Sequence, residues 1–198
     1  MGMPKFFEGT GMPDPGWWEA LWPDPRGVLL ASGLESNMKA VDLCSGDGWF
    51  TLPLAKLASR VWAIDIDAAM LASTQARLAE ADISNCCLVE GDAYEIAGLI
   101  SEKVDFVFMA NAFHGVPDKT RLSGAVGSAL KPNGIFAVVN WYPRPREETT
   151  VLGEPRGPAT GLRMAPEATV AVVEAGGLKL SKVADVSPYH YAGVFRSV

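Results

Sequence analysis

Apolar and polar positions along this 198-residue chain follow two alternating periods, and their order predicts an α/β protein. Between the strand-like runs, apolar residues recur at helical spacing, which predicts helices covering a sheet on both faces. One helix runs from about residue 68 to 81, and a later one has the buried stripe Leu122, Val126, Ala129 and Leu130. Short apolar runs bounded by turn residues predict buried strands at 38–43, 60–64, 86–90, 104–110 and 135–139.

The C-terminal part of the pattern differs, because it predicts two strands that run in opposite directions. A last helix begins at Pro166 and ends at Gly176-Gly177, as the preferences of proline and glycine at helix termini indicate. The apolar or alternating runs 178–186 and 190–195 follow, with three residues between them. So short a connection favours an antiparallel hairpin at the end of the sheet.

The segment 41–50, V-D-L-C-S-G-D-G-W-F, combines the end of a strand, a glycine turn and the start of a helix. Gly46 and Gly48 allow a positive φ and let the backbone approach a ligand closely. From Trp49 the apolar period becomes helical, and Pro53 falls near the first turn, where its missing N–H matters least. This combination predicts a loop that binds a nucleoside-containing cofactor.

Acidic residues around this loop indicate which class of cofactor it binds. Asp65 ends the second predicted strand, where a carboxylate can accept both ribose hydroxyls of an adenosine-containing cofactor, whereas Asp67 is predicted to cap the next helix. Thr51 occupies the position at which a dinucleotide-binding fingerprint has its third glycine. Asp42 and Asp47 are poor neighbours for a pyrophosphate, but they suit an ammonium group.

From about residue 39 to 195 the chain resembles the class I S-adenosylmethionine-dependent methyltransferases. Their first motif, D-x-G-x-G-x-G, maps onto Asp42, Cys44, Gly46 and Gly48. Cys44 departs from the pattern, and a Cβ at that position implies either an ordinary backbone conformation or mild strain. The resemblance implies a single Rossmann-like, doubly wound α/β domain with a seven-stranded, mostly parallel sheet, a C-terminal antiparallel hairpin and helices on both faces.

The resemblance also implies S-adenosyl-L-methionine as cofactor and S-adenosyl-L-homocysteine as its product, after direct in-line methyl transfer to an acceptor (EC 2.1.1.-). In the family, an acidic residue at the end of the third strand accepts from the adenine amino group. Asp92 matches that residue, and Ala93 offers its backbone N–H to the ring. The residues expected to bind the cofactor are Asp42, Cys44, Gly46, Gly48, Asp65, Ile66, Asp92, Ala93 and Asn111.

Topology predicts which side chains reach the methyl acceptor. Ligands in such sheets bind beyond the carboxyl ends of the parallel strands, and the antiparallel last strand of this family begins at the same edge. Both histidines of the chain, His114 and His190, would then flank one pocket, and either is a candidate base where the acceptor must lose a proton. The aromatic residues expected to contact a small-molecule acceptor are Phe113, Trp141, Tyr142, Tyr189, Tyr191, Trp17 and Trp18.

The chain is predicted to divide into a Trp- and Pro-rich cap segment, residues 1–38, and a cofactor-binding methyltransferase domain, residues 39–198. The loop 143–165 is long for a compact domain, and long loops are usually functional or mobile. We therefore expect the cap and this loop to close over the acceptor. The alternative is that the cap tryptophans cover apolar core at the edge of the sheet.

Composition bears on partners and location. The formal net charge of −6 and the pI near 4.9 weigh against a nucleic-acid substrate. The arginines between residues 144 and 163 are interleaved with glutamates, which predicts a solvated loop. The sequence has no long apolar run and no signal-peptide pattern, so a cytoplasmic protein without a membrane partner is expected. Its three cysteines lack metal-ligand spacing, and no metal is expected.

Two other functions stay open on the residues alone. An NAD(P)-dependent oxidoreductase is disfavoured by Thr51 and by the terminal hairpin, since a nicotinamide-binding domain would continue with a parallel unit. A non-catalytic S-adenosylmethionine-binding module remains an alternative, because methyl transfer requires no diagnostic catalytic residue. The residues also leave open the acceptor atom, among O, N, S and C, and the oligomeric state.

Overall fold

A computed structural model of the protein describes residues 14–198, in which strands and helices alternate. The strands are β1 (Lys39–Leu43), β2 (Arg60–Asp65), β3 (Cys86–Glu90), β4 (Val104–Ala110), β5 (Leu130–Trp141), β6 (Thr150–Val151), β7 (Glu154–Pro155), β8 (Lys179–Ser187) and β9 (His190–Arg196). The α-helices are α1 (Pro15–Leu21), α2 (Pro25–Ala31), α3 (Thr51–Leu57), α4 (Ala68–Glu80), α5 (Ile96–Leu99), α6 (Lys119–Ala129) and α7 (Pro166–Ala175).

The main sheet has seven strands in the order β3-β2-β1-β4-β5-β9-β8, and β6 and β7 pair separately within the loop after β5. Strands β1 to β5 are parallel to one another, and β9 runs antiparallel to both β5 and β8. The predicted fold, including the terminal hairpin, is confirmed. Because β1 lies between β2 and β4, the strand order reverses beside it, and ligands bind at the carboxyl ends of such strands.

Two apolar cores cover the two faces of the sheet. The first contains residues of α1, α2, α3 and α4 together with Phe106 and Phe108 of β4. The second contains residues of α5, α6 and α7 together with Phe136 and Phe195. Strand residues alternate between these cores, because successive side chains of a strand point to opposite faces. This alternation decides which side chains meet at the carboxyl edge of the sheet.

The described part of the cap segment, residues 14–38, is ordered by its own sequence. Helices α1 and α2 each begin with Asp-Pro, and the carboxylates of Asp14 and Asp24 accept from the backbone N–H groups of Gly16 and Gly27. Such caps satisfy N–H groups that a short helix otherwise leaves unpaired. Trp22 follows α1 and is buried in the first core. Residues 1–13 of the predicted cap lie outside the described residues.

Strand β5 is longer than the sequence predicts. It begins at Leu130, so the K-P-N-G stretch of residues 131–134, which lies before the predicted run 135–139, is part of the strand. The ladder pairs Val104 with Leu130, shifts register, and resumes at Phe106 with Ile135. Asn133 has a φ of 62° within that irregularity, so turn chemistry is present as a bulge rather than as a break in the strand.

Candidate active site

A cleft lies at the carboxyl ends of β1, β2 and β3, where the topology predicts a ligand site. Its rim includes Ile66, whose side chain is 56% exposed although it is apolar. Five of the nine residues expected to bind a cofactor line the cleft together. The lining residues are Cys44, Ile64, Asp65, Ile66, Gly91, Asp92 and Ala93.

The glycine turn after β1 has the backbone conformation that close approach to a ligand requires. Gly46 has a φ of 55° and Gly48 a φ of 84°. Cys44, at the first glycine position of the motif, also has a positive φ, of 61°. Of the two conformations left open by the sequence, the strained one is therefore present, since a Cβ disfavours this region.

Asp65 joins the tip of β2 to the glycine turn. Its Oδ2 accepts from the backbone N–H of Gly46 at 2.8 Å, and its Oδ1 accepts from the N–H of Asp67 at 3.0 Å. An ionised carboxylate has about four acceptor positions, so roughly two remain for hydroxyl donors of a ligand. The sequence predicts a ribose contact for Asp65, but it does not predict the hydrogen bond by which Asp65 anchors the turn.

The two carboxylates expected near an ammonium group have different surroundings. Asp42 is buried, and the Thr51 hydroxyl donates to its Oδ2 at 2.6 Å. Burial raises the pKa of Asp42 to about 7, a shift that the Thr51 hydrogen bond opposes and that the charges of Asp65 and Asp47 increase. Asp47 forms an ion pair with Arg77 at 2.8 Å. The assignment of Asp47 to an ammonium group is corrected, because Arg77 already neutralises this carboxylate.

Helix α4 holds the glycine turn through two side chains that sequence analysis missed. Arg77 donates from Nε to the carbonyl oxygen of Asp47 at 3.1 Å and lies 5.3 Å from the ring centroid of Trp49. The Thr74 hydroxyl donates to the carbonyl oxygen of Gly46 at 2.9 Å. We call Thr74 and Arg77 the loop clamp. Their spacing of three residues puts them on one helix face, the only sequence signal that they act together.

Asn111, at the end of β4, offers unused hydrogen-bonding groups. It has a φ of 58°, and its backbone N–H donates to the carbonyl oxygen of Val139 at 2.9 Å. Its side-chain Oδ1 and Nδ2 atoms are buried and have no hydrogen-bond partner among residues 14–198. A buried amide without partners costs free energy. A ligand that carries both a donor and an acceptor would satisfy both of these atoms.

A second group of residues lies on the first-core side of the same sheet edge, around His190. We call Trp17, Trp18, Trp22, Trp141, Tyr189 and His190 the aromatic cluster. The His190 ring lies between Trp22 and Trp141, at centroid distances of 4.4 and 4.0 Å. Tyr189 stacks on Trp141 at 6.2 Å. Trp17 and Trp18 continue the cluster through edge contacts, and Trp22 joins them to His190.

The two histidines share an electrostatic environment. His190 is fully buried, with Nδ1 2.7 Å from the Ser187 hydroxyl, and its Nε2 has no hydrogen-bond partner within the described range. Burial holds the pKa of His190 well below its ordinary value, and Arg163 and His114 add to the effect. Burial also lowers the pKa of His114 to about 4, with contributions from Lys119 and Arg163. Both imidazoles are therefore neutral at pH 7.

The structure does not bring every predicted acceptor residue to this cluster. Phe113 is fully buried in the second core, 6.3 Å from Phe136. Tyr191 follows His190 on β9 and therefore points to the other face, where its hydroxyl is 2.6 Å from the Thr169 hydroxyl. The Tyr142 hydroxyl donates to Asp185. The strand pleat and the turn after β4 direct these three side chains away from Trp141. Each of them contacts other residues instead.

The loop 143–165, which we call the strap, is not simply solvated. Arg163 is 7% exposed and lies 4.8 Å from the ring centroid of Trp141. Thr149 is also buried. The prediction of a solvated loop is therefore wrong for Arg163, whose side chain turns inward to bind the strap's own backbone.

Across residues 14–198, no three or more His, Cys, Asp or Glu side chains are grouped so that they could hold a metal ion. In that same range, no helix combines the length and apolar character needed to cross a membrane.

A comparison with models of known protein families gives a match. Residues 40–134 match the family model of a methyltransferase domain. Residues 40–134 thus resemble a methyltransferase domain, and the sheet as a whole has the fold of solved S-adenosylmethionine-dependent methyltransferases.

One sequence relative and two solved structures illustrate what this chain is similar to. Over 111 residues it is 31% identical to a demethylmenaquinone methyltransferase of Staphylococcus aureus, a match that covers 54% of this chain and 45% of the relative. The chain thus spans less than half the length of this curated relative. A SAM-dependent methyltransferase from Aquifex aeolicus superposes with a TM-score of 0.77 at 22% identity, over 93% of this chain and 94% of that one. The CcbJ methyltransferase from Streptomyces caelestis gives 0.70 at 17% identity, over 89% and 96%.

Proposed function

We propose that this protein binds S-adenosyl-L-methionine in the cleft and transfers its methyl group to a small molecule at the aromatic cluster. The observation that carries the proposal is the cleft itself, which gathers Cys44, Asp65 and Asp92 from three neighbouring strand ends. Asp65 has acceptor positions left for the ribose hydroxyls, and Asp92 with Ala93 would hold the adenine. Asn111 would bind the methionyl part of the cofactor.

The cofactor supplies a methyl group activated by a positively charged sulfur. The protein's contribution is to align the acceptor with that methyl group and to exclude water, effects worth on the order of 7–11 kcal/mol in well-oriented models. The aromatic cluster provides flat apolar walls for an acceptor ring. Where the acceptor must lose a proton, the neutral imidazole of His190 or His114 accepts it.

Two observations support a small molecule as acceptor. A relative at 31% identity is a demethylmenaquinone methyltransferase, and a quinone-like ring matches an aromatic binding wall. The formal net charge of −6 favours such an acceptor over a polyanionic nucleic acid. We therefore place the acceptor against Trp141 and Tyr189 rather than on an extended surface.

Thermal denaturation with S-adenosylmethionine, S-adenosylhomocysteine or NADH tests cofactor binding. At about 100 times its dissociation constant, a sulfur nucleoside should stabilise the protein by roughly 2.7 kcal/mol, and NADH should not. Asp65→Asn should reduce this ligand-induced shift, measured against the variant's own unliganded melting temperature. Asp82→Asn is the matched control, because Asp82 is exposed at the end of α4. Stabilisation by NADH alone would instead support an oxidoreductase.

A turnover screen separates an enzyme from a non-catalytic binding module. Release of S-adenosylhomocysteine is measured for a panel of phenols, thiols, amines and quinols. We expect acceptor-dependent release with at least one aromatic acceptor. Binding of S-adenosylhomocysteine without release for any acceptor would support the binding module.

A further inference from the structure

Arg163 is a buried cation that the proposed mechanism has not used. Arg163 is 7% exposed as a whole residue, and its guanidinium ties the strap together. Each of its hydrogen-bond acceptors is a neutral oxygen. These are the carbonyl oxygens of Pro158, Arg144 and Arg156 at 3.1, 3.1 and 3.0 Å and the hydroxyl of Thr149 at 2.9 Å.

No carboxylate of residues 14–198 forms an ion pair with Arg163. The charged groups of the strap that act on it are Arg146 and Glu147, which have opposite signs. From the sheet edge it faces His114 and His190, both uncharged at neutral pH. Burying a cation without an ion-pair partner is unfavourable, and the positive charge of Arg163 is offset only in part, by Glu147 and by the face of the Trp141 ring.

The position of Arg163 connects this charge with the acceptor. Its guanidinium lies over the ring of Trp141, which ends β5 at the carboxyl edge of the sheet. The His190 ring is 4.0 Å from the same indole, and its Nε2 has no partner in the described chain. A cation and a buried, unpaired imidazole nitrogen therefore adjoin one aromatic surface.

We propose that the acceptor is an aromatic compound with a weakly acidic hydroxyl, bound against Trp141 as its phenolate, with the Arg163 guanidinium as counter-charge. The proposal rests on the proposed function and specifies its substrate class. An aliphatic amine acceptor is disfavoured, because it is protonated in water at neutral pH and the Arg163 charge repels an ammonium ion, and a neutral aromatic amine offers no counter-charge. A phenolate supplies the negative charge that the site lacks.

The reaction balances with the groups present. The hydroxyl proton passes to Nε2 of His190 as the acceptor ionises. The phenolate oxygen then forms a bond to the methyl carbon while the carbon–sulfur bond breaks, and the electrons of that bond stay on sulfur. The products are a neutral methyl ether and a neutral thioether, and the histidine returns its proton to solvent.

The test uses 4-nitrophenol, whose phenol and phenolate absorb at different wavelengths, and protein saturated with S-adenosylhomocysteine. An absorbance titration should show that bound probe ionises at least about one pKa unit below free probe, as a nearby unscreened cation requires. In Arg163→Met the shift should disappear, and in Arg163→Lys most of it should remain. Arg196→Met is the matched control, because it removes the same charge from an exposed side chain at the far end of the sheet.

A second probe, 4-nitroaniline, has the same shape and no negative charge. It should bind the loaded wild-type protein about tenfold or more weakly than 4-nitrophenolate, a difference of about 1.4 kcal/mol. Equal affinity, failure of 4-nitrophenol to bind, or an unshifted bound pKa in wild type would each overturn the proposal. These wild-type results decide it even where Arg163→Met does not fold. S-adenosylhomocysteine affinity is measured in the same samples, so loss of the cofactor site is distinguished from a wrong acceptor class.

Discussion

Cys44 carries a side chain at a backbone position that favours glycine, with a φ of 61°. Removing its Cβ relieves strain of about 1 kcal/mol, so Cys44→Gly should be more stable than Cys44→Ala. Urea unfolding of the two variants measures the difference. In β3, Cys86 is the control position, and there the glycine variant should be the less stable of the pair. An alanine variant at position 44 as stable as the glycine variant would show that the turn relaxes at no cost.

Asp42 makes stability depend on pH in a direction opposite to that of most carboxylates. Its pKa is raised to about 7, so between about pH 4 and 7 the folded protein binds a proton that the unfolded chain has released. The contribution of Asp42 to the free energy of unfolding therefore falls as pH rises through this window. Asp42→Asn removes the titration and keeps an oxygen that can accept from Thr51.

The free energy of unfolding of Asp42→Asn minus that of wild type should increase by roughly 2–4 kcal/mol when the pH is raised from 4.5 to 8. Urea denaturation at the two pH values measures this difference. The buried histidines have the opposite sign, because their lowered pKa values make the folded state lose stability as pH falls below about 6.5. They are present in both proteins and cancel in the comparison. A difference that does not change with pH would mean that Asp42 titrates as an exposed carboxylate.

At the scale of elements, α4 holds the glycine turn after β1 in place through the loop clamp, Thr74 and Arg77. Arg77→Met removes the ion pair to Asp47 and the hydrogen bond to its carbonyl oxygen, while keeping a long apolar chain against Trp49. The turn then loses order that a ligand must restore, so the dissociation constant for S-adenosylhomocysteine should rise about three- to tenfold, up to about 1.4 kcal/mol.

Arg60→Met is the matched control for the loop clamp. Arg60 also lies over an indole ring, that of Trp62 at 4.6 Å, and also pairs with a carboxylate, Glu102 at 3.7 Å. It starts β2, at the opposite end of the strand from the cleft. Calorimetric titration should therefore show unchanged S-adenosylhomocysteine affinity in this variant. Equal weakening in both variants would point to a general loss of stability.

Helices and strands can be predicted where the residues that determine them are close together in the sequence. The bounds of β3, β4 and α7 follow from apolar runs and terminal residues, and they are confirmed. The bonds of Thr51 with Asp42 and of Arg77 with Asp47 were not predicted, because they join residues of different elements across the fold. The topology correctly predicted that β9 begins at the carboxyl edge of the parallel strands, but not the opposite orientations of His190 and Tyr191, which depend on strand register.

At the scale of the whole molecule, the proposed cofactor cleft and the proposed acceptor site at the aromatic cluster differ in their exposure to solvent. The cleft is open, whereas His190, Trp22 and Trp141 are almost fully buried. The strap and α1 contact each other where they cover the aromatic cluster, since the Arg156 guanidinium lies 5.3 Å from the Trp17 ring. On the proposed function, a cofactor can enter the cleft directly, whereas an acceptor at the aromatic cluster requires these segments to move.

Gly157 provides a direct test of this closure. It has a φ of 88° and lies so close to Trp141 that an added Cβ would be 2.8 Å from the indole. Gly157→Ala should therefore push the strap off the aromatic cluster, increasing proteolytic cleavage within 143–165 several-fold and exposing Trp141 to a fluorescence quencher. S-adenosylhomocysteine affinity should stay within about twofold, because the cleft lies at other strand ends.

Gly153→Ala separates displacement of the strap from backbone strain. Gly153 belongs to the same strap and has a φ of 80°, but an added Cβ there would meet no atom within 4 Å. It should therefore share the strain of a Cβ at positive φ, about 1 kcal/mol, without displacing the strap from Trp141. Cleavage and quenching should rise in Gly157→Ala and stay near wild type in Gly153→Ala. Equal changes in both would show that the strap responds to backbone strain rather than to contact with Trp141, and closure over the acceptor would lose its structural basis.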